Sequence, residues 1–176
     1  MLNLPNLITL LRLLLIPVVV LNLLEGHYKQ ALLFFILAGL SDALDGFLAR
    51  SLNQKTLLGA ILDPIADKLL VNSVYLLGAY LGLLPGWLAA IVLSRDILIL
   101  IGFAVLVSHT KRLEVRPTIL SKCTTASQIF TVVLTLWGLE EEILRIFFFF
   151  TGGLTALSGL HYLWIGAGYF KKKRAP

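Results

Sequence analysis

Four aspartates, Asp42, Asp45, Asp63 and Asp67, lie within 26 residues of this 176-residue chain. The chain has only one other aspartate, and the segment around the four, DALDGFLARSLNQKTLLGAILDPIAD, is otherwise largely apolar. On insertion scales, an ionised carboxylate at the centre of a bilayer costs roughly 2.5–3.5 kcal/mol. Four carboxylates so close together therefore predict a compensating cation.

The spacing of the aspartates predicts two carboxylate pairs on helix faces. Asp42 and Asp45 are three residues apart, and Asp63 and Asp67 are four apart, so each pair shares one face of a helix. We expect two antiparallel neighbouring helices to bring the pairs together. Oxygen ligands without nearby His or Cys favour Mg²⁺ or Mn²⁺, with Ca²⁺ as an alternative. Two divalent ions about 3.5–4 Å apart can clamp the attacking and leaving oxygens of a phosphoryl displacement.

Two glycines and an arginine share this segment, and each allows two interpretations. Gly46 and Gly59 lack a Cβ, which lets a phosphate or a flat base approach the helix backbone, or else lets two helices pack closely. Arg50 lies at the predicted helix end, where a guanidinium can hold a diphosphate bidentately or can snorkel to the membrane interface. Taken alone, these residues do not decide between ligand binding and packing.

The composition predicts an integral membrane protein. Hydrophobic residues make up 58% of the chain and charged residues 14%, with a mean hydropathy of +0.89, whereas about 25% charged residues is usual in soluble domains. The single cysteine, Cys123, cannot form an internal disulfide, and the three histidines are too scattered for a zinc cluster. The first apolar run has no basic residues before it and no cleavage site, so we expect a retained helix.

Hydrophobic runs predict an all-α fold, a six-helix transmembrane bundle that uses residues 1–176 as one domain. The predicted spans are Leu7–Leu24, Ala31–Arg50, Leu58–Leu81, Trp87–Ser108, Ile119–Leu139 and Ile143–Tyr169.

Basic residues predict the orientation of the bundle. If the N-terminus is cytoplasmic, ten basic residues fall on that side and two, Lys29 and Arg145, on the other, which predicts an N-in, C-in topology. The aspartate segment then lies near the cytoplasmic surface, where soluble ligands reach it. We interpret the basic run Lys171–Arg174 as a contact with anionic headgroups.

The full spacing of the segment resembles a family signature. It reads Asp42-x2-Asp45-Gly46-x2-Ala49-Arg50-x8-Gly59-x3-Asp63-x3-Asp67. This pattern resembles that of the CDP-alcohol phosphotransferases, with no position missing. The resemblance extends to the six-helix layout, the opening Pro5-Asn6-x2-Thr9-x2-Arg12, Ser94-Arg95 in the fourth span and Lys122 in the fifth.

The resemblance implies a role for each motif residue. Asp42, Asp45, Asp63 and Asp67 are expected to bind two divalent metals, Mg²⁺ or Mn²⁺, and Asp67 is also expected to act as general base on the acceptor hydroxyl. The positions expected to hold the cytidine nucleotide are Gly46, Ala49, Arg50 and Gly59. The implied reaction is attack of an acceptor oxygen on the β-phosphorus of CDP-diacylglycerol, with CMP leaving.

Four basic residues are candidates for binding the acceptor phosphate: Arg12, Arg95, Arg116 and Lys122. We expect Arg95 to be the strongest of them. The alternative for Arg95 is an ion pair with Asp96, but neighbours on a helix point about 100° apart, which favours a ligand role. The alternative for Arg12 is snorkelling to the interface.

The identity of the acceptor stays open between two branches that the chain resembles. The opening segment and short length are similar to phosphatidylglycerolphosphate synthases, which use glycerol 3-phosphate. Those enzymes typically read Gly-Lys-x-Lys-Thr at the fifth helix, where this chain has Ser121-Lys122-Cys123-Thr124-Thr125. The lone lysine and the preceding Pro117-Thr118 are closer to cardiolipin synthases, which use phosphatidylglycerol. We place glycerol 3-phosphate first.

A transporter is the alternative of another class, because carboxylates inside membranes also line ion paths. The later spans contain only Asp96 to continue such a path, and no inverted repeat is found. Gly78, Gly82 and Gly86 recur every four residues, which fits close helix contact in a homodimer or within the bundle. The expected partners are CDP-diacylglycerol, the acceptor and membrane lipids, and no nucleic acid.

Overall fold

The computed structural model describes the backbone of residues 4–51, 57–110 and 118–172, and the side chains of residues 10–41, 68–102 and 118–165. In these ranges all the regular structure is helical, as predicted. The helices are α1 (Leu4–Leu24), α2 (Tyr28–Ser51), α3 (Leu57–Tyr80), α4 (Gly86–Thr110), α5 (Ile119–Trp137) and α6 (Glu141–Lys172). Each predicted span begins and ends within three residues of one of these helices.

Three helices end at a glycine with a left-handed backbone. Gly26, Gly82 and Gly138 have φ values of 76°, 76° and 85°, which L side chains rarely adopt. After α1, the N–H of His27 donates to Asn22 O at 2.8 Å and the N–H of Gly26 donates to Leu23 O at 3.1 Å. This is the Schellman arrangement, which satisfies carbonyls at a helix end. The same pair of bonds follows α3 and α5.

Short polar side chains stabilise the starts of the last two helices. The hydroxyl of Thr118 accepts a hydrogen bond from the backbone N–H of Ser121 at 3.2 Å, which caps the N-terminus of α5. Glu141 and Glu142 lie in the first turn of α6, where the helix dipole favours negative charge. Local capping chemistry therefore fixes where the helices begin and end.

The chain divides into two compact units. The first contains Met1–Leu84 and Val132–Leu139, and the second contains Pro85–Thr131 and Glu140–Pro176. One transmembrane domain can contain two such units, so the prediction of a single domain over residues 1–176 stays a prediction.

In the first unit, α1 contacts both α2 and α3, and α2 also contacts α3. Its buried side chains are mostly apolar and include Val19, Phe35 and Tyr75. At its edge, the Lys29 ammonium donates to the carbonyl oxygen of Trp137 and lies 4.6 Å from the centre of that indole ring. A cation at the C-terminus of α5 stabilises the helix dipole there.

In the second unit, α4 packs against α6. Trp87 stacks on Phe149 with ring centroids 5.3 Å apart. A Cβ added at Gly152 would lie 2.5 Å from Trp87 Cζ3, so only glycine leaves room for the indole ring. The packing of α4 on α6 therefore depends on the absence of a side chain at this position.

Two helical segments in the described residues, Ile119–Trp137 and Glu141–Ile165, are long and apolar enough to cross a membrane. Many large apolar side chains are exposed, including Leu14, Leu76, Phe149 and Trp164. Exposed apolar surface on this scale is what a lipid-facing helix presents. The number of spans and the N-in, C-in orientation stay predictions.

Gly78, Gly82 and Gly86, which were predicted to allow close helix contact in a homodimer or within the bundle, do not lie on one helix. Gly82 lies in the turn after α3, and Gly86 begins α4. Gly78 is buried against a neighbouring turn, because a Cβ built there would lie 2.9 Å from Leu84 Cδ1. The four-residue spacing reflects a turn between two helices, so it gives no support for a dimer.

Candidate active site

The aspartate motif lies on two helices that contact each other. Asp42 and Asp45 belong to α2, and Asp63 and Asp67 belong to α3, both in the first compact unit. The side chains of all four aspartates lie outside the described residues, so their convergence stays a prediction. The contact between α2 and α3 is nevertheless the backbone arrangement that convergence requires.

The predicted nucleotide-binding residues share those two helices. Gly46, Ala49 and Arg50 lie in the last turns of α2, and Gly59 lies in the first turn of α3. Only their backbone is described. Their positions place them next to the aspartates along both helices, since Gly46 follows Asp45 directly and Gly59 precedes Asp63 by one turn.

Among the side chains that the structure describes, no group of three or more His, Cys, Asp or Glu residues could hold a metal ion. The four motif aspartates are not among those side chains. The donor set itself fits hard divalent cations, because four carboxylates on two contacting helices offer only oxygen ligands.

Arg12 is fully buried, with 0% of its surface exposed. It belongs to α1, the helix that contacts both motif helices. A snorkelling arginine keeps its charged head in water. The snorkelling alternative is therefore wrong for Arg12, and among the candidate cations with described side chains it is the one that shares the first unit with the aspartates.

Arg95 lies in the second unit and is also buried, with 3% of its surface exposed. Its Nη1 donates to Asp96 Oδ1 at 2.7 Å, and both side chains of this ion pair are almost fully buried. The expectation that these neighbours serve different faces is wrong. The 100° between neighbouring positions applies to the Cα–Cβ directions, and a long, flexible arginine can turn back towards the carboxylate next to it.

Two hydroxyl groups complete the surroundings of Arg95. Its Nη2 donates to Ser121 Oγ at 2.6 Å and to Ser158 Oγ at 3.1 Å, and its Nε lies 3.4 Å from Ser158 Oγ. These contacts connect α4 to α5 and α6. Arg95 therefore forms a buried polar junction of three helices.

The remaining two candidates for binding the acceptor phosphate are Lys122 and Arg116. Lys122 follows Ser121 in the first turn of α5, and its side chain is exposed. Arg116 lies outside the described residues. Thus only Lys122 presents a described cationic head at the surface, beside the Arg95 junction.

A row of hydroxyl and amide groups continues from this junction between α5 and α6. Thr131 Oγ1 and Thr151 Oγ1 are 2.8 Å apart, and Gln128 Nε2 donates to Thr155 Oγ1 at 3.2 Å. All four residues are buried. Hydrogen bonds of this kind hold membrane helices together where water cannot compete.

This polar row was not predicted from the sequence. Its signal was present, because polar residues recur every three or four positions in two otherwise apolar helices. They are Ser121, Thr124, Gln128, Thr131 and Thr135 in α5, and Thr151, Thr155 and Ser158 in α6.

Comparisons with known proteins agree with the motif. The sequence model of the CDP-alcohol phosphatidyltransferase family matches residues 2–164. A cardiolipin synthase (CMP-forming) of Homo sapiens is 33% identical over 93% of this chain and 62% of its own length. A CDP-diacylglycerol--glycerol-3-phosphate 3-phosphatidyltransferase of Pseudomonas fluorescens is 38% identical over 92% of this chain and 88% of its own length. The corresponding protein of Bacillus subtilis is 34% identical over 81% of both chains.

The chain spans less than two thirds of the length of the cardiolipin synthases it matches, 62% of the human protein and 56% of one from Drosophila melanogaster. The human, Pseudomonas fluorescens and Bacillus subtilis proteins carry two different names and align with 93%, 92% and 81% of this chain.

Proposed function

This chain belongs to the CDP-alcohol phosphatidyltransferase family, and we propose that it transfers a phosphatidyl group from CDP-diacylglycerol to a phosphate-bearing alcohol, releasing CMP. The observation that carries the proposal is the complete acidic motif on two contacting helices, within a family match that covers residues 2–164. The names of the similar proteins support the same class of reaction.

In the proposed reaction, one bond to phosphorus forms and one breaks. The acceptor hydroxyl oxygen attacks the β-phosphorus of CDP-diacylglycerol, and the bond from that phosphorus to the bridging oxygen breaks. CMP leaves with the electron pair. Asp67 takes the proton of the acceptor hydroxyl as general base, which requires its carboxylate within hydrogen-bond reach of that group.

Asp42, Asp45, Asp63 and Asp67 are the residues that would hold two divalent ions, Mg²⁺ or Mn²⁺. When bound, such ions stabilise negative charge on the diphosphate and on the leaving group. The chain's own part is to present oxygen ligands from two helices at one place. Gly46, Ala49, Arg50 and Gly59 would hold the cytidine nucleotide beside them.

We propose glycerol 3-phosphate as the acceptor, with the phosphate group bound by cations that include Lys122, Arg12 and Arg116. Lys122 supports this because its head is exposed. Arg95 is the fourth candidate, but its charge is balanced by Asp96.

Phosphatidylglycerol is the second candidate acceptor, which would make the chain a cardiolipin synthase. The Arg95–Asp96 ion pair favours this alternative, because it removes one net positive charge from the proposed acceptor region. A phosphodiester carries one negative charge, whereas glycerol 3-phosphate is a dianion, so the phosphodiester needs fewer cations.

We further propose a multi-pass protein with both termini and the active site on the cytoplasmic side. The two long apolar helices and the exposed apolar side chains support a membrane location. A homodimer is part of the proposal only through the family resemblance.

The test is to supply purified protein with CDP-diacylglycerol and Mg²⁺ or Mn²⁺, and to offer glycerol 3-phosphate, phosphatidylglycerol, inositol phosphate or serine in turn. We expect CMP release with one acceptor and identification of the matching lipid by mass spectrometry. Absence of CMP release with every acceptor, together with absence of CMP exchange into CDP-diacylglycerol, would refute the proposal and reopen the transporter alternative.

A further inference from the structure

The donors of Arg95 are almost all engaged within the second unit. A guanidinium has five N–H groups in a rigid fork. One N–H of Nη1 donates to Asp96, the two of Nη2 match Ser121 and Ser158, and Nε–H points to Ser158. Four of the five N–H groups thus have a partner among the residues that the structure describes.

This arrangement does not suit direct binding of a phosphate by Arg95. Strong arginine–phosphate contacts are bidentate and use two parallel N–H groups of the fork. To offer two, Arg95 would have to give up a hydroxyl at 2.6–3.1 Å or the carboxylate at 2.7 Å. The ion pair also leaves the group with no net charge to attract an anion.

The contact to Ser121 connects Arg95 to a residue that does present charge. Ser121 lies in the first turn of α5, where its backbone N–H is also bonded to the capping hydroxyl of Thr118. Lys122 follows directly in the chain and has an exposed side chain. A buried, rigid guanidinium therefore holds the turn of helix from which an exposed, flexible ammonium extends.

We propose that Arg95 is a positioning residue, which holds Ser121 and thereby fixes the first turn of α5 so that Lys122 can bind the phosphate of the acceptor. The proposal rests on the proposed function for the identity of the ligand. It assigns Arg95 a different role from the direct contact that its sequence position suggested. It also makes Ser121 a specificity determinant that acts without touching substrate.

Cys123 provides a readout of this turn that does not depend on catalysis. It is the chain's single cysteine, it is exposed, and it lies one residue after Lys122. A nitroxide attached to Cys123 of the full chain in detergent micelles reports the mobility of the first turn of α5. Ser121→Ala removes the hydroxyl that Arg95 holds, Ser121→Thr keeps it, and Ser94→Ala removes an exposed serine next to Arg95 as the matched control.

We expect Ser121→Ala to increase the mobility of the nitroxide label. Ser121→Thr and Ser94→Ala should leave the spectrum as in the wild type. Arg95→Lys should resemble Ser121→Ala, since lysine keeps the charge but not the fork. An unchanged spectrum in both Ser121→Ala and Arg95→Lys would overturn the proposal. This result does not depend on which reaction the protein catalyses.

A second experiment measures steady-state kinetics with the acceptor that supports turnover. Ser121→Ala should raise the acceptor KM about ten-fold, the effect of losing roughly one charged hydrogen bond, with the KM for CDP-diacylglycerol and kcat within two-fold of wild type. In a Lys122→Ala background, Ser121→Ala should add no further rise, because it acts through Lys122. A full additional rise in that background, or equal rises in both KM values, would overturn the positioning role. Wild-type protein that shows no turnover would count against the proposed function alone, and the label mobility would still decide this inference.

Discussion

Charged and polar residues in apolar surroundings are balanced differently in two regions of the molecule, the motif helices α2 and α3 and the helices α4–α6. Residues 42–67 contain four carboxylates but only two cationic side chains, Arg50 and Lys55. Among the side chains described in the second unit, the buried charged residues are Arg95 and Asp96, and they form an ion pair with each other. Neutral hydroxyl and amide groups there bond to one another across α5 and α6.

This difference distinguishes residues that need a bound cation from residues that stabilise the fold. The Arg95–Asp96 pair and the hydroxyl and amide groups of α5 and α6 find hydrogen-bond partners inside the chain, so they do not require a bound cation. An excess of carboxylates near a bilayer is costly until cations join it. A buried charged residue is therefore a guide to function only after its partner has been identified, and Arg95 shows how the nearest partner can be the adjacent residue.

The largest effect on turnover is expected in the aspartate motif, residues 42–67, where carboxylates outnumber cationic side chains. We expect Asp67→Asn to abolish phosphatidyl transfer, with a loss of at least about 10²-fold, because the amide cannot accept the acceptor's proton. CDP-diacylglycerol binding should be largely retained, as measured by equilibrium binding of the radiolabelled lipid.

Glu142→Gln is the matched control for Asp67→Asn, because it makes the same chemical change at an exposed position in α6. It should keep wild-type turnover. Near-normal turnover by Asp67→Asn would show that Asp67 is not the general base.

The balanced pair should affect stability and not metal binding. Asp96→Ala leaves the Arg95 guanidinium buried without its carboxylate, which costs about 3–5 kcal/mol in comparable buried pairs. Thermal unfolding in detergent micelles should show a markedly lower Tm. Mn²⁺ binding by the folded fraction should stay at the wild-type level.

Glu141→Ala breaks an exposed i,i+4 pair with Arg145, whose atoms are 3.6 Å apart, and serves as the control for Asp96→Ala. Exposed pairs contribute little to stability, so its Tm should not change measurably. If the two variants have equal Tm values, the Arg95–Asp96 pair is not a structural junction.

Adjacent glycines in α6 test the packing of the second unit. At Gly152 an added Cβ meets Trp87 at 2.5 Å, whereas at Gly153 it meets nothing within 4 Å. Gly152→Ala should therefore destabilise by roughly 1–3 kcal/mol through overpacking. Gly153→Ala should stabilise by up to about 1 kcal/mol, since alanine favours helix. Opposite shifts in Tm are expected, and shifts of the same sign would contradict the packing described for Trp87.

The smallest effect belongs to the turn between α3 and α4. Gly82→Ala places a Cβ at a φ of 76° and should cost roughly 1 kcal/mol. Gly86→Ala is the control, because Gly86 begins α4 and an added Cβ there meets nothing within 4 Å. Denaturant unfolding that ranks Gly86→Ala as the more destabilising change would show that the turn does not require glycine.

The helices were largely predictable from sequence because hydrophobic length and glycine turns are local properties. Gly26 and Gly138 end α1 and α5 close to where the apolar runs stop. The spacing of Gly78, Gly82 and Gly86 did not predict their positions, because periodicity alone cannot distinguish a helix face from residues that flank a turn. Only the positive φ of Gly82 separates the two.

The candidate site was predictable where its residues lie in one continuous segment with fixed spacing. The Arg95 junction was not, because it joins Ser121 and Ser158 from helices distant in sequence. Hydroxyl residues also occur in membrane helices for packing alone, so their spacing does not reveal which of them meet. Side-chain direction and partner choice are set by tertiary contacts, which a single sequence does not contain.

The most direct test of the central claim is Mn²⁺ binding to purified protein, measured by the loss of the free-ion EPR signal during titration. We expect wild-type protein to bind two Mn²⁺ ions per chain, Asp63→Asn to bind fewer, and Asp96→Asn to bind as many as wild type. Equal Mn²⁺ binding by wild type and Asp63→Asn would contradict the central claim, since the carboxylates of α2 and α3 would then not be the ligands.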